Sequence, residues 1–159
     1  MHRDEWTLRA VVEADVDTLM QWFPTFEDVN IWGGPSFRYP FTRESFFADI
    51  DWERMASFGL FDWQDSLAAF GQLYDREERI HLARLVVDPE RRGLGLGRRL
   101  IEMLMVVGKD HYPYGEYSLF VYRANEPAYR CYRALGFEIA DYPPDVPHAD
   151  VCDFLTRPA

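Results

Sequence analysis

Val87-Asp88-Pro89-Glu90-Arg91-Arg92-Gly93-Leu94-Gly95-Leu96-Gly97-Arg98-Arg99 joins a strand-like run to a helical one. Upstream, Arg79 to Val87 is rich in apolar and β-branched residues. Downstream, apolar residues recur at Leu96, Leu100, Ile101, Leu104 and Val107, the spacing of one helix face. The helix therefore opens at the glycines, with its unpaired N–H groups pointing out of the turn. Such an end attracts anions. Alternate glycines remove side chains that would hold a phosphate off the backbone, and the helix dipole adds roughly half a positive charge there. Arg91, Arg92, Arg98 and Arg99 lie within nine residues of one another, in a chain whose net charge is −10.

Spacing separates this turn from two other phosphate loops. The dinucleotide fingerprint needs Gly-x-Gly-x-x-Gly, and the nucleoside-triphosphate loop needs Gly, four residues, then Gly-Lys-Ser/Thr. From Gly93 or Gly95 the sixth position falls on Arg98 or Leu100, and no lysine follows in the required place.

Around this centre, 159 residues suit one domain, residues 1–159, with a core that needs neither disulfides nor metal. Hydrophobic residues make up 48% of the chain, yet no apolar run approaches the ~20 residues of a membrane span. The opening Met1 to Trp6 carries acidic residues where a secretory signal would be basic and then apolar, so a cytoplasmic protein is expected. Cys131 and Cys152 have neither zinc nor redox spacing and read as small packed residues. The acidity argues against a nucleic-acid surface, which must neutralise phosphates.

The order of elements is mixed α/β. Trp6 to Val12 reads as an opening strand, and Asp15 as the N-cap of a helix carrying Val16, Leu19, Met20 and Phe23. Pro24 to Pro40 reads as an irregular, aromatic-rich loop interrupted by Gly33, Gly34 and Pro35, and Thr42 caps a short helix through Phe46 and Phe47. Ser57 to Trp63, Ser66 to Tyr74 and Arg79 to Val87 form an antiparallel meander. After the glycine-opened helix come a strand at Tyr117 to Tyr122, a helix over Asn125 to Leu135, a strand from Phe137 and a last one at Val151 to Leu155.

Arg92-x-x-Gly95-x-Gly97, following a Val-Asp-Pro strand end, resembles the pyrophosphate-binding signature of the GNAT superfamily of N-acetyltransferases. A second stretch, Asn125-Glu126-Pro127-Ala128-Tyr129-Arg130-Cys131-Tyr132-Arg133-Ala134-Leu135-Gly136-Phe137, is similar to the family's Asn…Ala…Tyr…Gly-Phe element. The motifs cover about Leu82 to Phe137; the first third fits by element order alone. The resemblance implies a mostly antiparallel central sheet of six to seven strands, helices on both faces, and a splayed parallel pair. It implies acetyl-CoA as cosubstrate, an amine acceptor that attacks the thioester directly, and no metal; a homodimer stays open.

The resemblance also implies the site. Backbone at Leu85 and Val87 would hold the pantetheine arm, and an N–H at Val86 or Val87 the oxyanion. Backbone along Arg92, Gly93, Leu94, Gly95, Leu96, Gly97 and Arg98 would hold the pyrophosphate. Tyr132 stands where the family carries the proton donor to the departing thiolate, with Tyr129 one turn earlier as the weaker choice. Asn125 either caps its helix or bonds the pantetheine arm. The family often places a glutamate on the strand that here reads Arg79 to Leu85, and none is present. His81, on one strand face with Ala83 and Leu85, is the candidate base; a sheet-bonded histidine or a water chain are the alternatives. Trp22, Trp32 and Phe37, with Phe23, Gly33, Gly34 and Tyr39 nearby, are expected around the acceptor, and the net acidity leans toward a cationic one. A non-catalytic acyl-CoA sensor is the alternative function.

Overall fold

The computed structural model describes residues 5–159, so the reading of the opening Met1 to Asp4 lies outside the described residues. The elements run β1 (Thr7–Ala10), α1 (Glu13–Met20), α2 (Phe26–Gly33), α3 (Arg43–Asp49), β2 (Ala56–Phe61), β3 (Leu67–Asp75), β4 (Ile80–Val87), α4 (Leu96–His111), β5 (Glu116–Tyr122), α5 (Glu126–Ala134), β6 (Glu138–Ala140) and β7 (Cys152–Pro158). The strands form one sheet in the order β1-β2-β3-β4-β5-β7-β6, antiparallel throughout except for β4 beside β5. Parallel neighbours need a crossover, and α4 supplies it, which brings the N-terminus of α4 to the C-terminal end of β4.

Strand alternation divides the core between the two faces. On one, Leu100, Ile101 and Leu104 of α4 pack on Leu73, Ile80, Leu82, Leu119 and Leu155. On the other, Val16, Leu19, Val29 and Phe46 from α1, α2 and α3 pack on Phe61, Phe70 and Val86. Helices therefore cover both faces, as expected. No helix among the described residues is long and apolar enough to cross a membrane.

Two readings of local structure are corrected. Asp15 is not the N-cap of α1: the helix starts earlier, and the Asp15 carboxylate reaches back to accept the Val12 N–H at 2.9 Å. The segment expected as loop contains α2. Thr25 accepts the Asp28 N–H at 3.2 Å and opens the helix, while Gly34, at φ 89°, ends it. The glycines that looked like interruptions are its C-terminal stop.

Candidate active site

β4 and β5 pair only at Ile80↔Tyr117 and His81↔Ser118. Toward their C-terminal ends the strands part, and the cause lies on the other side of β4. Between Phe70↔Val86 and Gln72↔Ala83, the single residue Gly71 stands opposite both Arg84 and Leu85, a β-bulge. Arg84 takes the left-handed region at φ 50°, which bends and twists the strand away from β5. Gly71 makes the bulge possible, since a Cβ there would lie 2.7 Å from Leu104 and 2.8 Å from Leu85. The parting leaves backbone groups of β4 without a strand partner, and buried backbone groups need one. The Arg84 carbonyl finds it in the Trp32 indole N–H at 2.8 Å. Leu85 and Val87 turn their side chains into the α4 layer, so what they offer the gap is backbone.

The glycine turn closes the mouth of this gap. Asp88 donates its N–H to the Ala68 carbonyl at 2.9 Å and accepts from the Glu90 N–H at 3.0 Å, fixing a 3-10 turn over Pro89–Arg91. Arg91 is an anchor rather than a free cation: it bonds Asp62 at 2.8 Å and lies 3.7 Å from Asp88. Arg92, Arg98 and Arg99 remain exposed, with Arg98 only 3.9 Å from Glu102. Gly93 and Gly95 sit at φ 83° and 77°, and Gly95 is the N-cap of α4, with no side chain to cap it. The Arg99 N–H bonds the Gly95 carbonyl at 3.2 Å, so the first-turn N–H groups of Leu96, Gly97 and Arg98 have no intrahelical acceptor. A Cβ added at Gly93 or Gly95 meets nothing within 4 Å. Open space over uncapped donors, edged by exposed arginines, fits a pyrophosphate.

α5 brings Tyr132 under the same region. Its ring is buried and packs edge-on to Phe137 at 6.4 Å, and its hydroxyl has no hydrogen-bond partner among the described residues. Burial raises its pKa, so it stays protonated through the neutral range. Tyr129 is committed elsewhere, donating to Asp153 at 2.5 Å. Asn125 stands at the N-cap of α5 but its side chain makes no capping bond. That removes one of its two expected roles.

His81 lies at the closed end of the splay, away from Val86 and Val87. It is 2% exposed, its Nδ1 is 2.8 Å from Ser118 Oγ, and the rings of Tyr74, Phe120 and Phe154 surround it. Burial, then Arg76, Arg84 and Arg79, lower its pKa to about 3. A group that binds a proton so weakly is a poor base at neutral pH, and its burial against Ser118 matches the sheet-bonded alternative for His81. It carries a stability prediction instead. Below the reference value near 6.5 the unfolded chain takes a proton that the folded one refuses until about pH 3. Stability is thus full above pH 6.5 and falls with pH, by roughly 2 kcal/mol at pH 5. The drop in Tm between pH 7 and pH 5 should be smaller in His81→Asn by about 6 °C, measured by differential scanning calorimetry.

The acceptor-side aromatics divide. Trp22 and Phe37 are core: Trp22 is 7% exposed, and Phe37 packs edge-on to Phe46 at 5.2 Å and against Gly33. Aromatic composition marked the region, and burial turned these two inward rather than toward an acceptor. Trp32 is half-buried, stacked on Phe23 at 4.2 Å, with its N–H at the bulge. Sequence reasoning missed Arg84; an arginine between Ala83 and Leu85 in an apolar strand was the available signal.

The Acetyltransferase (GNAT) family model matches residues 26–137. Among solved structures, spermidine N-acetyltransferase from Vibrio cholerae, in complex with CoA and spermine, superposes with a TM-score of 0.76 at 16% identity, over 98% of this chain and 96% of that one. An acetyltransferase from Thermus thermophilus gives 0.74 at 22% identity, over 100% of both chains. PaiA N-acetyltransferase from Thermoplasma acidophilum, in complex with coenzyme A, gives 0.72 at 18% identity, over 98% and 99%.

Proposed function

Because the chain belongs to the GNAT acetyltransferase family, we propose that its splayed strands and glycine turn together hold acetyl-CoA and pass the acetyl group to a primary amine by direct attack. One observation carries this reading. The uncapped N-terminus of α4 opens at the mouth of the gap left by β5, so a phosphate end and an acyl arm can be held in line.

In this reading the N–H groups of Leu96, Gly97 and Arg98, with Gly93 to Gly95 beneath, bind the pyrophosphate. The backbone of Leu85 and Val87 holds the pantetheine arm, and Asn125 is free to join it. When bound, acetyl-CoA supplies the activated acyl carbon. An N–H at Val86 or Val87 stabilises the charge that develops on its oxygen, at little cost because the strand is already fixed. Tyr132, protonated and unpartnered, donates to the departing thiolate.

The amine must lose a proton, and no carboxylate stands on β4. With His81 buried, the proton leaves through solvent before attack. The logarithm of kcat/KM should therefore rise steadily from pH 6 to pH 9 as the neutral amine grows, with no break near ~6.5. A plateau beginning at that pH, removed in His81→Asn, restores His81 as the base. A protein that binds acetyl-CoA but releases no thiol with any amine is the sensor.

A further inference from the structure

Resting on that reading, we propose that the acceptor-side face binds an anion through Arg84 and Arg76, so that the amine substrate also carries a carboxylate, as an amino acid does and a polyamine does not.

About half of the described arginines are matched by a carboxylate, and most of the rest lie exposed at the surface. Arg9, Arg38, Arg43, Arg54, Arg79, Arg91 and Arg123 each meet a carboxylate within 3.4 Å. With 27 Asp and Glu against 17 Lys and Arg, partners are in surplus. Arg84 and Arg76 are partly buried with no carboxylate partner. Arg84 Nε and both Nε and Nη2 of Arg76 are buried with no hydrogen-bond partner among the described residues. Arg84 spends Nη1 on the neutral Gln72 amide oxygen at 3.1 Å and on Met55 sulfur at 3.5 Å. The carboxylates that act on it from a distance, Asp51 and Asp49, are bonded to Arg54 and Arg38. Arg76 lies over the Phe120 ring at 5.1 Å, a contact that leaves its N–H edge unanswered.

Both cations border the same face of the sheet. Phe120 packs on His81 at 5.2 Å, His81 on Tyr74 at 4.8 Å, and Tyr74 shares a β3 face with Gln72, the partner of Arg84. Arg84 is also the bulge residue whose carbonyl holds Trp32 at the splay, while its guanidinium reaches over β3 to Gln72 and Met55. A buried guanidinium without an anion is costly, and its planar fork matches a carboxylate. The same charges repel a polyamine. The acceptor face thus opposes the chain's net acidity, and the lean toward a cationic acceptor is reversed locally.

The test is calorimetric titration, with and without coenzyme A, of matched N-acetyl products: N-acetyl-L-phenylalanine against N-acetylphenethylamine, and N-acetyl-L-leucine against N-acetylisoamylamine. In wild type, the carboxylate member of at least one pair should bind about ten-fold tighter or better. In Arg84→Met and in Arg76→Met the preference should shrink to about two-fold or less, with Tm unchanged or raised in Arg76→Met, where the charge removed has no hydrogen-bond partner to orphan. Equal affinities within every pair, no binding by either carboxylate, or a preference that survives both variants overturns the anion site. Coenzyme A titrated alone into the same sample reports separately on the acetyltransferase reading.

Discussion

Tyr132→Phe should lower kcat for amine-dependent thiol release by about 100-fold or more, while the Kd for acetyl-CoA stays within about two-fold. The substitution removes one oxygen from a ring that is otherwise buried, and that oxygen has no partner to leave unsatisfied. Stability should therefore hold. The raised pKa keeps the phenol protonated across the working range, so in the proposed reaction its part is to donate as negative charge forms on sulfur. Stopped-flow thiol release, alongside calorimetric affinity, separates the two effects. An unchanged kcat would move the proton donor elsewhere, and with Tyr129 held by Asp153 that donor would be solvent.

Gly95→Ala should weaken acetyl-CoA binding by about ten-fold or more, for a reason that a control can isolate. Gly95 lies at φ 77°, so an alanine there costs roughly 1–2 kcal/mol of backbone strain, but its Cβ enters space where no protein atom lies within 4 Å. Gly34 is alike in both respects, at φ 89° with nothing within 4 Å, and it ends α2 instead of opening α4. Gly34→Ala and Gly95→Ala should therefore lose similar Tm in a thermal melt. Only the second should lose affinity, because only there would the methyl meet the proposed pyrophosphate. Equal affinity in the two variants would place the pyrophosphate away from this turn.

How much of this was legible before the fold depended on whether the information was local. The glycine spacing, the period of α4 and the Thr42 cap are local, and each stands where the sequence placed it. Gly33 and Gly34 carry the same local meaning in two ways, break or stop, and only the Thr25 cap upstream decides for stop. Alternation assigned His81 a face but not a depth, and depth made it a buried, weakly basic ring. Trp22 and Trp32 are indistinguishable by composition; packing sent one into the core and the other's N–H to the bulge. The bulge depends on register between β3 and β4, which no single strand encodes, and so Arg84 went unseen.

The most direct measurement is a calorimetric titration of acetyl-CoA into the wild-type protein. Saturable one-to-one binding at about micromolar Kd, weakened in Gly95→Ala and retained in Gly34→Ala, is the predicted result. No saturable binding by the wild-type protein would contradict the central claim that the glycine turn and splayed strands form an acetyl-CoA site.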